Sequence, residues 1–476
     1  MGLSKRQYLL YFCFVITNVY CVTLNFFLMK NIFLIFSFLI SFFAFSQQIP
    51  SFKLTKYNNA AVDGYFILTA SDALIIMDND ANIVYLKPTK VISNFSLEKD
   101  DRIYYLTNEG MYFLNKSFHL LDSFVCKNGI RQDKHDAIVM PNGNILLLGF
   151  EKAVMSYSNA QELKKISKLD SALVPLAVLQ EQDIQHNVVW EWHAKDHFDM
   201  GDIDLFYEPV NRPDLTHCNA LELDSDGNIL LSSRNMDEIT KINKRDGSIM
   251  WRFGGKRNEF KFVNCPVTFY GQHNIRKLPN GHYTLFDNGL NTKSHGARAL
   301  EFELDESNKT ATLIWSYTYD KNYSTKGQGS VQRLDNGNSL VTLGTSLSSS
   351  GDTCFVIVNT KGEKIIQVNG PPAYRVMNFS SIPFELNRPS IKAFDSLGVK
   401  YLDAGVGYKS YRWSTGDSTR VIKLSKAGSY SVFVNYGDGG FISSENITVS
   451  NLLKPCDLKI LSGRKKNRKQ EGTKLN

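Results

Sequence analysis

One phrase recurs along this chain and narrows its fold more than any other feature. It reads PNGNILLLG at 141–149, SDGNILLSS at 225–233, PNGHYTLFDNG at 279–289 and DNGNSLVTLG at 335–344. Each copy is an Asn-Gly or Asp-Gly turn followed by a β-rich run, with Gly supplying the positive φ that such hairpins require. Weaker copies stand at 78–86 (DNDANIVYL) and 107–115 (TNEGMYFLN). A second phrase, strand–polar turn–strand, follows some of them at 239–255, 299–319 and 355–368. Four short strands repeating every ~40–55 residues are the signature of propeller blades. One such sheet cannot cover both of its faces, and radial stacking covers them while leaving only short edges. The expected fold is therefore all-β, a six-bladed β-propeller over residues 47–388.

Beyond Pro389 the texture changes. Residues 389–450 alternate strand-like runs with Gly turns, as in KSYRWSTGDSTRVIKLSKAGSYSVFVNYGDGG. This predicts a small immunoglobulin-like β-sandwich with Trp413 and Tyr430 in its core and no chemistry of its own.

The two ends distort the overall charge. The formal net charge is +7, but Lys5, Arg6 and Lys30 contribute +3 and the last thirteen residues +5, leaving −1 for residues 47–463. The folded body thus has no nucleic-acid footprint, and the basic tail within 451–476 reads as a solvated end. Within the leader, 1–46, the run MKNIFLIFSFLISFFAFSQQ has the charged start, apolar centre and small-residue end of a secretory signal peptide, with Met29 as the true start. Tyr8–Leu28 is also hydrophobic and reads as upstream sequence, a membrane anchor being the alternative. An exported protein with no stable span after processing is expected, in the periplasm, at the cell surface or outside the cell. Of seven Cys, four (Cys126, Cys218, Cys265 and Cys354) lie in the body, without CxxC or zinc spacing. No metal site and no cofactor is expected.

The repeats also align their histidines. His135 stands eight residues before Gly143, His273 eight before Gly281 and His217 ten before Gly227. All three therefore sit at the entry to equivalent strands, where the fourth copy has Gly329. If those strands line the axis, three imidazoles converge. Asn219, two residues after His217, shares its strand face. Arg234 follows the same hairpin and offers the permanently charged fork suited to a tetrahedral oxyanion.

The phrases THCNALELDSDGNILLSSRN, GQHNIRKLPNGHYTLFDNG and GSVQRLDNGNSLVTLG, with WEWHAKDHF at 190–198, resemble the PAPS-independent arylsulfate sulfotransferase family over roughly residues 130–345. The resemblance implies a secreted six-bladed propeller that moves a sulfuryl group from a phenolic sulfate to a phenol. It places the nucleophile on His273, substrate binding on His217, Asn219 and Arg234, and a further catalytic histidine on His135, with Arg234 also catalytic. Neutral His273 would attack sulfur to give a sulfohistidine, and the phenol would take the group in a ping-pong cycle. His135 would protonate the leaving phenolate or deprotonate the acceptor. The partners implied are a small aryl sulfate and a phenolic acceptor, and homodimerisation is left open. His119, His186, His193, His197, His282 and His295 read as structural or exposed, His197 and Asp287 as candidate pocket edges, and Asp287–Asn288 as a turn.

Two other enzyme classes fit poorly. A type I sulfatase needs CxPxR, and the nearest stretch is CPVTF at 265–269. A quinoprotein dehydrogenase shares phrases like KRDGSIMW, at 244–251, but leaves the three histidines unexplained. The remaining alternative is a secreted binding or adhesion propeller without catalysis.

Overall fold

The computed structural model describes residues 49–450 and the strand Lys459–Ile460, apart from 58–62, 90–91, 99–101, 205, 207–212, 291–294, 347–352, 385 and 438. The leader with its signal peptide and most of the basic tail, with Cys13, Cys21 and Cys456, lie outside the described residues. The described residues from Phe52 onward form one compact unit.

The repeated phrase folds the same way each time. At the second copy the Asp224 N–H donates to Asn228 O (2.8 Å) and the Gly227 N–H to Asp224 O (2.9 Å), while Asp226 Oδ1 accepts the Asn228 N–H (3.0 Å). The equivalent bonds recur around Gly143, Gly281 and Gly337. Those four glycines have φ of 81–91°, a left-handed conformation that a Cβ would strain.

Among the described residues these hairpins build six successive antiparallel sheets. The second comprises Ile92–Leu97, Ile103–Thr107, Gly110–Leu114 and Leu120–Phe124. The third comprises Arg131–Val139, Ile145–Ser156, Ser171–Gln182 and Val188–His193, and the fourth Cys218–Leu223, Ile229–Ser233, Glu238–Ile242 and Ile249–Gly254. The fifth runs from His273–Lys277 through Tyr283–Asp287 and Arg298–Asp305 to Thr310–Thr318, with Lys261–Val263 alongside.

The first and sixth sheets share the chain ends. The sixth holds Ser330–Arg333, Ser339–Thr342, Thr353–Val358 and Lys364–Asn369, with the N-terminal strand Lys53–Lys56 on its outer edge. The first holds Tyr65–Ala70, Ala73–Asp78 and Ile83–Pro88, with the late strand Val376–Phe379 paired to its inner side. The inner strands of the second to sixth sheets touch in order, and the first sheet closes the circle, Val376–Phe379 against the sixth and Tyr65–Ala70 against the second. This closed ring is the arrangement of a β-propeller.

Two kinds of contact hold the ring. Between sheets the faces are apolar: Trp192, Leu176, Ile229 and Leu231 pack between the third and fourth, and Phe253, Phe269 and Phe302 between the fourth and fifth. Each such side chain contributes about 1.5–3 kcal/mol by leaving water. At the hub, polar side chains reach from one leading strand to the next. Asp136 accepts the Leu221 N–H (3.0 Å), Asn219 Nδ2 donates to Gln272 O (2.7 Å) and Asn274 Oδ1 accepts the Val331 N–H (3.1 Å). Gln332 and Asn378 exchange side chain–backbone bonds of 2.9 and 2.7 Å across the sixth and first sheets. A hub strand cannot pair laterally with its neighbour, so these bonds satisfy backbone groups that would otherwise be buried unpaired.

The C-terminal residues fold around a core of Leu402, Trp413, Ile422, Tyr430, Val432, Val434, Ile447 and Val449, so Trp413 and Tyr430 are core residues. Tyr430 Oη donates to Lys426 O (2.6 Å). The strand Phe441–Ser443 pairs with the outer edge of the first sheet, Phe441 opposite Leu86 and Ile442 opposite Tyr85. One seven-stranded sheet thus runs from the hub into this region, a continuity that the change of texture at Pro389 did not reveal. Cys126, Cys218, Cys265 and Cys354 are buried and unbridged. Among the described residues no helix is long and apolar enough to cross a membrane.

Candidate active site

His217 and His273 stand where a leading strand enters its sheet, whereas His135 lies in the middle of Arg131–Val139 because that strand begins four residues earlier than the repeat predicts; each lies beside a break in the ladder. The pairing shifts between Leu147 and Gly149, opposite the stretch that holds His135. It shifts again between Cys218 and Ala220, and between His273 and Arg276. Bulges of this kind re-aim side chains and gather near active sites. His217 and Asn274 have φ of 41° and 58°, the strained backbone that accompanies them. The bulge falls on Asn219, so the simple alternation that put it on the face of His217 does not apply there.

The three rings come together. The His135 and His217 rings are 5.5 Å apart between centroids, and His135 lies 5.9 Å from the Tyr374 ring. The charges of Arg234, His217 and His135 all act on His273. Arg234 and His273 meet over Gly327: a Cβ built there would lie 3.6 Å from His273 Nε2 and 4.0 Å from Arg234 Nε. The equivalent of these histidines in the sixth sheet, Gly329, would place a Cβ against the Phe286 ring instead.

His273 is 3 % exposed, and its tautomer follows from its partners. Nδ1 faces two acceptors, Asn288 Oδ1 at 2.7 Å and Gly271 O at 3.0 Å, so it carries the proton. Nε2 accepts the Gln328 N–H at 3.0 Å and therefore holds the lone pair. Burial, then the Arg234 guanidinium, and then His217 and His135 push the imidazole well below its ordinary pKa, against the pull of Asn288. His273 is thus neutral at pH 7, with its electron pair on Nε2, where it accepts the Gln328 N–H.

The other two histidines are set differently. His135 Nδ1 lies 2.5 Å from Asp133 Oδ1, and that oxygen also accepts the His135 N–H at 2.7 Å. His217 Nδ1 lies 2.7 Å from Asp214 Oδ2, whose other oxygen accepts the His217 N–H at 3.1 Å. Their side chains are 19 % and 34 % exposed, so solvent reaches the cluster from their side.

Arg234 leaves the fourth sheet at a single helical turn, Arg234–Met236. It donates to Asn235 Oδ1 (2.6 Å) and to Lys326 O (2.8 Å). Asn219 is fully buried, and the bond of its amide to Gln272 O anchors the residue before His273. Below the cluster, Asp136 is held by Arg375 (2.8 Å) and Arg276 (3.0 Å). Burial opposes its ionisation, but the two guanidinium groups leave its carboxyl below the ordinary range.

Four contributing residues escaped sequence reading. Asn288 was taken for a turn residue, yet it holds His273. The signal lay in the hairpin itself, because His273 pairs with Phe286 and Asn288 follows two residues later on the same face. Asp133 and Asp214 precede their histidines by two and three residues, spacings common to many Asx turns. Gln328 acts through its backbone, which no side-chain pattern discloses. Asp287, a candidate pocket edge, is fully buried and binds Arg298 at 2.6 and 2.9 Å. His197 stacks on Trp192 (4.8 Å), while His193, His282 and His186 pair with Glu151, Glu301 and Asp122. His295 Nδ1–H donates to its neighbour Gly296 O (2.9 Å), and His119 is exposed. Among the described residues no group of three or more His, Cys, Asp or Glu side chains is placed to hold a metal ion.

An all-β ring whose centre gathers three histidines and an arginine is the class that this fold and site define. Within it, the chain belongs to the arylsulfotransferase (ASST) family, whose model matches residues 53–370. No curated protein sequence matches it. Similar solved structures include a protein of unknown function from Bacteroides caccae (13 % identity, 65 % of this chain and 94 % of that one, TM-score 0.44). Others are a catalytically inactive virginiamycin B lyase from Staphylococcus aureus (12 %, 74 % and 96 %, 0.36) and a gluconolactonase from Xanthomonas campestris (12 %, 69 % and 93 %, 0.37).

Proposed function

We propose that this protein is an exported, PAPS-independent arylsulfate sulfotransferase working through a sulfohistidine on His273. One observation carries the reading: a buried, neutral imidazole with its lone pair on Nε2 beside a guanidinium and two further imidazoles. In the first half-reaction Nε2 attacks sulfur, the N–S bond forms, and the S–O bond to the phenol breaks. In the second, the acceptor oxygen attacks the same sulfur and releases His273. The transferring group spreads its charge over equatorial oxygens. Arg234 and His217 neutralise that charge, most strongly in the transition state. Asn219, through Gln272, keeps the nucleophile in place, and an arriving sulfuryl group displaces the Gln328 N–H from Nε2. The chemistry calls on no cofactor.

The same reading takes the six sheets as six blades, residues 47–388 as the catalytic propeller and 389–450 as an immunoglobulin-like sandwich. It places the mature protein in the periplasm, at the cell surface or outside the cell.

A binding propeller without catalysis is favoured by one observation, the near-complete burial of His273 with its lone pair already filled. Purified protein given p-nitrophenyl sulfate and a phenol separates the two. Exchange that vanishes in His273→Asn, with donor sulfur trapped on His273 in the wild type, supports the enzyme. Saturable aryl sulfate binding without turnover selects the binding propeller.

A further inference from the structure

The three histidines differ in what holds Nδ1. His273 has a neutral amide, Asn288, whereas His135 and His217 each have a carboxylate. Each carboxylate is doubly engaged, because it also accepts the backbone N–H of the histidine it orients. Ring and backbone are therefore fixed by one group, and Nε2 takes no part in that contact. Burial works against ionisation of Asp133, yet the His135 ring, its backbone N–H and the more distant His217 hold the carboxyl below its ordinary range, so it is charged at neutral pH.

We infer that Asp133 and Asp214 are positioning residues that divide the cluster into one neutral nucleophile and two carboxylate-backed imidazoles with separate tasks. The inference rests on the sulfotransferase reading and deepens it. A carboxylate on Nδ1 fixes the tautomer and stabilises positive charge on the ring. A neutral amide orients the ring without favouring a cation, which suits a nucleophile that must keep its lone pair. Around His135 the charged and titratable groups are Asp133, His217, His273 and, at the ring edge, Tyr374.

The more enclosed pair, Asp133–His135, serves as the proton shuttle. As the S–O bond breaks, the Nε2 proton of His135 passes to the departing phenolate oxygen. In the return half-reaction the acceptor phenol gives its proton back to Nε2 as its oxygen bonds to sulfur, so protons balance over the cycle. The more open pair, Asp214–His217, binds the sulfuryl oxygens.

The test compares two donors whose leaving groups differ in basicity. Phenolate, the conjugate base of an acid of pKa about 10, needs a proton on departure; p-nitrophenolate is a far weaker base and leaves without one. In Asp133→Asn, kcat/KM for phenyl sulfate, which reports the first half-reaction alone, is expected to fall about 100-fold, within the range of general acid–base catalysis. With p-nitrophenyl sulfate it should fall much less. In Asp214→Asn, KM should rise for both donors while the difference between them stays as in the wild type. Asp133→Glu tests rescue, and circular dichroism with thermal melting confirms that each variant is folded. Equal losses on both donors in folded Asp133→Asn, or no loss on either, overturn this division while leaving His273 as nucleophile. A wild type that turns over no aryl sulfate and takes no label on His273 overturns both readings.

Discussion

At the scale of single residues the centre of the ring is a matter of small distances. The space above Gly327 lies against His273 Nε2 and Arg234 Nε. The Gly327 backbone is not left-handed, and a Cβ there meets its neighbours only at ordinary van der Waals distance. Gly327→Ala is therefore expected to fold normally, within about 1 kcal/mol of the wild type. It nevertheless puts a methyl group where the proposed transfer places the sulfuryl group, and turnover should drop about 100-fold, the scale of an ångström-sized misplacement. Steady-state kinetics and a denaturant titration check both halves. Unimpaired turnover would move the sulfuryl position elsewhere.

The depressed pKa of His273 has a consequence for stability as well. An unfolded chain binds a proton on this imidazole near pH 6.5, while the folded one resists it until well below. Between those limits the unfolded state holds more protons, so stability is intact above pH 6.5 and declines as the pH falls. His273→Asn removes this contribution. Denaturant unfolding at pH 7.5 and pH 5 should show a smaller loss in the variant than in the wild type. Equal losses would mean that the folded ring titrates normally.

At the scale of elements, the hairpin phrase was legible because its geometry is local. A Gly at positive φ and an Asn or Asp oxygen closing the turn are written in three adjacent residues. The shared phase of His135, His217 and His273 was legible for the same reason, since it counts from that Gly. The bulges beside the three histidines were not, because a ladder break depends on both strands and on the sheet next door. That is why Asn219 was assigned a sulfuryl contact when its amide in fact secures Gln272.

The buried charges between elements were equally hidden. Lys241, whose side chain is 2 % exposed, lies 2.7–2.8 Å from Asp224, Asp226 and Glu306. Those partners join the fourth sheet to the fifth, and Asp224 also accepts the Tyr283 hydroxyl at 2.9 Å. Lys241→Ala leaves a buried carboxylate short of a partner and should cost about 3–5 kcal/mol. Its denaturation midpoint reports this directly, and a change below 1 kcal/mol would show that Lys277, also bound to Asp224, suffices alone.

At the scale of the whole molecule, the all-β ring was readable from the repeat period, but the way it is completed was not. Nothing near Lys53–Lys56 or Val376–Phe379 resembles the hairpin phrase, and their partners lie some 300 residues away in sequence. The outer edge of the first sheet is covered in the same long-range manner, by Phe441–Ser443. A chain ending at residue 388 would bare the edge strand Ile83–Pro88 and the Ile442 site beside Tyr85. Exposed edges of this kind pair with other chains. The truncated protein should therefore melt earlier and elute as dimers or aggregates in size-exclusion chromatography. A monomer with unchanged melting would make the C-terminal residues dispensable to the ring.

The interlocked ends also govern when this molecule can come into being. During synthesis the opening strands emerge first and must wait, half-dressed, Lys53–Lys56 for Lys364–Asn369 and Tyr65–Ala70 for Val376–Phe379. The clasp fastens only once residues 364–379 have been made, so a translation product interrupted before them has no means of completing the circle around its histidines.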